Sequence, residues 1–318
     1  MRLRKRLGLL AAAATLTAST AVLAAPTFIN ILTGGTSGVY YPIGVALSQV
    51  YGEHIDSAKP SVQATKASVE NLNLLQAGRG ELALALGDSV SDAWAGDAEA
   101  GFKAPLSKLR AIAGTYPNYI QIVASAESGI KTLADLKGKR ISVGAPKSGT
   151  ELNARAIFKA AGLSYDDMGK VEFLPYAESV ELIKNRQLDA TLQSAGLGMA
   201  AIRDLASVMP IEFVAVPAEV VAKIGNAAYQ PASIPAGTYD GQEQAVATVA
   251  ITNILVSHSG VSDQLAYQMT KLMFENLPRL VTAHSAAKDI ALANAAQGLP
   301  IPLHPGAEQF YKEQGLLP

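Results

Sequence analysis

Short apolar runs alternate with segments of helical period along almost the whole chain, and no other feature narrows the fold as far. Residues 28–32, 62–64, 82–86, 141–145, 171–174, 188–192 and 211–216 read as buried strands. Between them apolar residues recur every three or four positions. Val39, Ile43, Leu47 and Val50 mark one helix, with Pro42 tolerable in its first turn. Val69, Leu72 and Leu75 mark a second, for which Ser68 reads as the N-cap. Others run through Trp94, over 150–161 up to Gly162, over 178–185 and over 199–206. Such alternation predicts α/β architecture with mostly parallel strands. Two stretches break the rhythm. Apolar runs at 109–113 and 120–124 flank Gly114-Thr115-Tyr116-Pro117, and 245–257 is too long for an ordinary strand. They predict two segments crossing between two lobes, with a central cleft and lobe closure about the crossings. The expected division is 25–116 with 253–318 as lobe one, and 117–252 as lobe two.

Composition agrees with a well-filled interior. The 318 residues are 49% hydrophobic and 17% charged, which suits two domains and excludes a disordered chain. Absence of cysteine excludes disulfides, thiolate metal sites, a cysteine nucleophile and a lipid-modified cysteine. The first residues carry Arg2, Arg4, Lys5 and Arg6 ahead of an apolar stretch over 7–23 and Val22-Leu23-Ala24. That pattern predicts a signal peptide over 1–24, cut near Ala24/Ala25, and a soluble mature protein in the periplasm. A membrane anchor is the other reading, but Thr15, Thr17, Ser19 and Thr20 dilute the stretch. Removal of the segment leaves 22 basic against 27 acidic residues, a net of −5, with no basic run to hold nucleic acid.

Two glycine turns join strand to helix. Thr33-Gly34-Gly35-Thr36-Ser37-Gly38-Val39-Tyr40-Tyr41 follows the first strand, and Gly144-Ala145-Pro146-Lys147-Ser148-Gly149-Thr150 follows the strand at Ile141. Each offers hydroxyls and unpaired N–H groups at a helix start, which suit a carboxylate or phosphate. One such turn per lobe suits a ligand with two carboxylates. A capped turn without ligand is the other reading of each. The candidate contacts are Gly35, Thr36, Ser37, Tyr40, Ser148, Gly149 and Thr150. Ser68, Asn71, Tyr116 and Ser194 join them, at strand ends or where a crossing begins. Lys147 reads as a solvated lysine and Asp88 as a helix cap.

Signatures of catalysis are missing. Gly35-Thr36-Ser37-Gly38-Val39 lacks the last glycine of G-x-S-x-G, and no phosphate-loop or dinucleotide pattern occurs. His54, His258, His284 and His304 are scattered, so they read as surface or turn residues and not as metal ligands. No enzyme activity, metal or cofactor is expected. A secreted hydrolase using Ser37 or Ser148 is the remote alternative, with no base in evidence.

The chain resembles the TAXI family of solute receptors of tripartite ATP-independent periplasmic (TRAP) transporters. The likeness runs through the first glycine turn to Tyr40-Tyr41-Pro42-Ile43-Gly44, then Ser68-Val69-Glu70-Asn71-Leu72 and the second glycine turn. It continues in Ile234-Pro235-Ala236-Gly237-Thr238-Tyr239 and Ile301-Pro302-Leu303-His304-Pro305-Gly306-Ala307. The resemblance implies a type II-like periplasmic binding protein, monomeric by default, closing on glutamate, 2-oxoglutarate or a related dicarboxylate. It further implies delivery to a membrane permease of fused small and large subunits, driven by an ion gradient. A sensor receptor of the same fold is the alternative. Where many relatives carry an acidic residue after Tyr-Pro this chain has Asn118, which favours a ligand without an ammonium group.

Overall fold

The computed structural model describes residues 26–318; the predicted signal peptide and its cleavage site lie outside them. Alternation of apolar runs and helical segments produces ten strands in one curled sheet, with helices against both faces. In the first half, β1 (Thr27–Leu32) pairs in parallel with β2 (Ala58–Gln63) and β3 (Leu82–Leu86). The helices α1 (Tyr40–His54), α2 (Ser68–Gln76) and α3 (Gly87–Ala95) follow these strands in turn. Side chains alternate across the sheet, as the two-residue strand period requires. Ile29, Ile31, Leu82 and Leu84 pack into one core, while Leu32, Ala83 and Ala85 pack into another on the opposite face. Strands buried on both faces explain the unbroken apolar run of 82–86.

In the second half, β5 (Arg140–Ser142) pairs in parallel with β6 (Lys170–Glu172) and β7 (Ala190–Ala195). Helices α4 (Gly149–Ala160), α5 (Tyr176–Lys184) and α6 (Ala200–Val208) follow. A third core, built on Ile122, Ile141, Ile157, Phe158 and Leu192, fills this half.

The middle of the sheet departs from the expectation of mostly parallel strands. The two breaks in the rhythm are long strands, β4 (Leu109–Ser125) and β10 (Val246–His258), paired antiparallel and running through both halves. Antiparallel pairs also join β10 to β3 and to β9 (Gln230–Ile234), and β4 to β7 and to β8 (Ile211–Val214). Gly114-Thr115-Tyr116-Pro117 does not divide β4 into two strands. It forms a bulge: Gly114 pairs with Ile254 and Pro117 with Thr252, so Thr115 and Tyr116 together oppose Asn253. A bulge tolerates proline and re-aims the side chain opposite it; here that side chain is Asn253.

The chain ends return to the first half. After α7 (Ala218–Ile224) and β9, helices α8 (Asp263–Glu275), α9 (Leu277–Ala283) and α10 (Pro305–Glu313) pack beneath α1 and β4. Helices α7, α9 and α10 add to those that the sequence spacing predicts. Among the described residues no helix is long and apolar enough to cross a membrane.

Three of the histidines are turn caps. Nδ1 of His258, His284 and His304 accepts the N–H of Gly260, Ala286 and Gly306 respectively, two residues further on in each case. Burial holds all three rings below the usual histidine range, even at His304 with Asp263 nearby. Each native pKa thus lies below the unfolded value of about 6.5. Below that pH the unfolded chain binds more protons, and stability falls. Asp92 works the other way: burial, aided by Asp88 and Asp97, pushes it up to about 6. Melting temperature is expected to fall between pH 6.5 and 5 less steeply in His304→Asn, which keeps a capping acceptor, and more steeply in Asp92→Asn. An unchanged slope in His304→Asn would contradict the assignment.

Candidate functional site

Loops at the carboxyl ends of β1, β2, β3, β5 and β6, together with the end of β7, meet where the two halves touch. They enclose a cavity of about 120 Å³. That is the usual place for ligands in open α/β sheets. Four helices begin on its wall: α1 at Tyr40, α2 at Ser68, α4 at Gly149 and α5 at Tyr176. The first N–H groups of a helix have no acceptor within it, and aligned peptide dipoles make these ends positive. Among the lining residues Lys66 is the only one with a charged side chain, and no carboxylate lines the wall. Apolar groups of Val39, Ala67, Leu86, Ala145 and Ala195 fill much of the remainder.

Backbone strain flanks the cavity in both halves. Ala67 has φ 69° and ψ −147°, and Lys147 has φ 62°. Non-glycine residues held at such angles cost of order 1–3 kcal/mol each and cluster at ligand clamps. Ala67 is held by its N–H to Thr65 Oγ1 at 2.9 Å and by Asn71 N–H to its carbonyl at 3.0 Å. Ala67, and not Ser68, is therefore the N-cap of α2. Ser68 has moved into the first turn, where its Oγ accepts the N–H of Leu86 at 3.1 Å. Ser148 caps α4 as its sequence position suggested, accepting Glu151 N–H at 3.2 Å.

A hydrogen-bonded belt crosses the floor from one half to the other. Tyr40 Oη donates to Asn253 Oδ1. Asn253 Nδ2 donates to Tyr116 O and to Asn118 Oδ1, both at 2.8 Å. Asn118 Nδ2 donates to Ser194 O at 2.8 Å, and so does Tyr176 Oη at 2.8 Å. With its hydrogen so used, Tyr176 Oη accepts from the Thr150 hydroxyl. Burial raises Tyr40, Tyr116 and Tyr176 above the usual tyrosine range, so all three keep their protons. Two hydroxyls are left over. Ser194 Oγ, of a residue that lines the cavity, and Tyr116 Oη are buried without a partner among the described residues. Buried polar groups are rarely left so.

Of the predicted contacts, Gly35, Tyr40, Ser68, Ser148, Gly149, Thr150 and Ser194 line the cavity. Thr36, Ser37, Asn71 and Tyr116 do not. Thr36 is exposed, and Ser37 offers its carbonyl to Ala201 N–H at 3.4 Å. Asn71 is consumed in positioning: its Nδ2 donates to Thr33 O and Leu84 O at 2.7 and 2.9 Å, and its Oδ1 accepts from Thr65. Tyr116 is fully buried beside Gly196. Asp88 is not the helix cap that its sequence position suggested: Leu86 holds the N-cap position of α3, and the Asp88 carboxylate, inside the first turn, bonds Asn153 and Tyr229. Thr65, Lys66, Pro175 and Tyr176 line the wall but were not among the predicted contacts. Their signal was available: Pro175-Tyr176 opens a helix directly after a strand, as the two glycine turns do.

No group of histidine and carboxylate residues fit to hold a metal occurs among the described residues.

Solved structures with the same fold are receptors of the periplasmic-binding type. The periplasmic binding protein BugD aligns with TM-score 0.57 at 11% identity, over 91% of this chain and 94% of its own. The alkanesulfonate-binding protein SsuA from Xanthomonas axonopodis pv. citri, bound to MOPS, gives 0.52 at 16%, over 93% and 96%. A ligand-binding component of an ABC-type import system from Staphylococcus aureus, with zinc bound, gives 0.52 at 11%, over 91% and 92%. At these identities the likeness is one of fold: two α/β lobes of the type II-like arrangement. A family model described as NMT1-like matches residues 31–315, and the chain belongs to that family.

Proposed function

We propose that this protein is a periplasmic solute receptor that closes two lobes around a small organic anion and passes it to a membrane permease. One observation carries the reading. The cavity where the halves meet gathers four helix N-termini, one lysine and Ser194, whose Oγ is unpartnered, with no carboxylate to oppose an anion. The hinge is placed at the β4–β10 bulge, dividing 25–116 with 253–318 from 117–252. Closure follows from the ligand touching both lobes, and so binding the closed state better than the open one. Catalysis has no place in this reading, since no nucleophile on the wall has a base beside it.

Recognition of the anion is assigned to the N–H groups of Gly149 and Thr150, to the Ser148 and Ser194 hydroxyls, and to Lys66. Asn118 supports a ligand without an ammonium group. Its Nδ2 donates a hydrogen bond to Ser194 O, which an ionised carboxylate at this position cannot do, and no acid lines the wall. A 2-oxo acid or plain dicarboxylate fits better than glutamate. Motif resemblance to TAXI receptors favours a TRAP-type permease with fused subunits. An ABC-type importer is the other route, and a permease gene of either type beside this one separates them.

The test is a melting panel on protein unfolded and refolded to strip ligand, with glutamate, glutamine, 2-oxoglutarate, succinate, malate and fumarate. Ligand at about 100 times its Kd adds roughly 2.7 kcal/mol, or about 5–10 °C for a chain of this size. The largest rise is expected with 2-oxoglutarate or a plain dicarboxylate. Asn118→Asp is expected to lose most of it and to shift preference towards glutamate. Tighter binding of glutamate by the unaltered protein would overturn the ammonium-free ligand, and a flat panel would overturn the small-anion reading.

A further inference from the structure

A second set of contacts joins the halves away from the cavity. Asp88 lies buried in the first turn of α3. Its Oδ1 accepts Ser89 N–H at 2.8 Å. Its Oδ2 accepts from two side chains of the other half: Asn153 Nδ2, in α4, at 2.7 Å, and Tyr229 Oη, just before β9, at 2.7 Å. Asn153 Nδ2 also reaches Tyr229 Oη at 2.8 Å, which closes a triangle. None of the three residues lines the cavity. Outside the triangle the halves face each other across a cleft with walls of opposite sign. Asp92, Asp97 and Glu99 stand on one side; Arg155, Lys159 and Lys223 stand on the other. Arg155 Nη1 crosses it to donate to Glu99 O at 3.0 Å.

A buried carboxylate is tolerated only while donors satisfy it. Asp88 has no cation as a bonded partner. Burial pushes Asp88 above the usual carboxylate range, and Tyr229, Ser89 N–H and Asn153, with the positive start of α3, oppose that push and favour its charged form. Opening the lobes removes the two cross-half donors and lets in water. Exchanging such donors for water is near balance, so the triangle selects one closed geometry without locking it. A ligand can then tip the equilibrium.

We propose that Asp88, Asn153 and Tyr229 form a ligand-independent clasp on the closed form, setting affinity through closure without touching the ligand. The proposal rests on the lobe closure proposed above. The chain has no cysteine, so Lys59→Cys and Lys131→Cys, one in each half and both exposed, take a pair of fluorophores cleanly. Single-molecule energy transfer then counts open and closed molecules, without ligand and during titration with 2-oxoglutarate.

The labelled parent is expected to show a closed minority without ligand. Asp88→Asn should lower its closed-to-open ratio about fivefold or more, and Tyr229→Phe should do so by less, since one donor to Asp88 remains. The 2-oxoglutarate concentration for half-closure should rise by the same factor in each variant. The closed distance at saturation, and the preference for 2-oxoglutarate over glutamate, should stay as in the parent. The two substitutions should be non-additive when combined. Lower melting temperatures with unchanged closed fractions would overturn the clasp, as would a ligand-free parent with no closed molecules. A parent that ignores every anion would overturn the ligand reading instead, while its ligand-free counts would still decide the clasp.

Discussion

Gly149→Ala is expected to bind the ligand roughly 5- to 150-fold more weakly while the ligand-free protein melts as before. Gly149 opens α4 on the cavity wall, and its place in the sequence suggests a ligand contact at a helix start. The structure shows a different reason for glycine. A Cβ built there would lie 2.6 Å from Leu86 Cδ1 and 2.7 Å from Ser68 Oγ, both in the other half. Ser68 Oγ is not free to yield, because it accepts the N–H of Leu86. Overpacking of this kind costs about 1–3 kcal/mol, and each 1.4 kcal/mol is about tenfold in affinity. The clash exists only when the halves meet, so the cost falls on closure. Alanine is also the best helix former, so a loss cannot be assigned to α4 itself. Calorimetric titration with the tightest ligand of the melting panel, beside melts without ligand, reads both quantities. An unchanged Kd would mean that the halves need not approach this closely to hold ligand.

Gly306→Ala should instead damage the fold, by about 3 kcal/mol or more, and leave ligand preference alone. Gly306 is in the first turn of α10, where that helix crosses α8. A Cβ there would lie 2.0 Å from Asp263 O and 2.7 Å from Tyr267 N. Both are backbone atoms of a packed helix, so neither can turn aside as a side chain would. The helices must separate, which strips packing from Phe310, Tyr311, Met269 and Met273 in the largest core. Losses of this size follow from disrupted cores. Separation would also pull His304 Nε2 from Val261 O, just before α8, which lies 3.1 Å away. Urea unfolding measures the loss; a midpoint within the error of the parent would refute the close crossing. Pro305-Gly306-Ala307 thus belongs to helix packing and not to the ligand. Ile234-Pro235-Ala236-Gly237-Thr238-Tyr239 is similar: Tyr239 Oη donates to Gln121 Oε1 and accepts Gly198 N–H at 3.0 Å.

Much of the architecture was legible in residue order. Strand and helix periods differ, so runs such as Leu82–Leu86 and the helical spacing from Val39 to Val50 identify their elements locally. Glycine and serine at strand ends mark helix starts, and those starts line the cavity at Gly35, Ser148 and Gly149. These are properties of neighbours along the chain. The bulge that turns Asn253 into the belt is not, because it exists only in the pairing of two strands more than 130 residues apart. Nor is the fate of Asn71 and Ser68, whose side chains bond the backbone of strands folded beside them. Asn71 looks like a ligand donor in sequence and is spent on Thr33 and Leu84, whereas Tyr176, whose place marks only a helix start, bonds Thr150 and Ser194. Local sequence determines which backbone a segment prefers; only tertiary packing decides which polar groups remain unpaired once every buried donor has sought an acceptor.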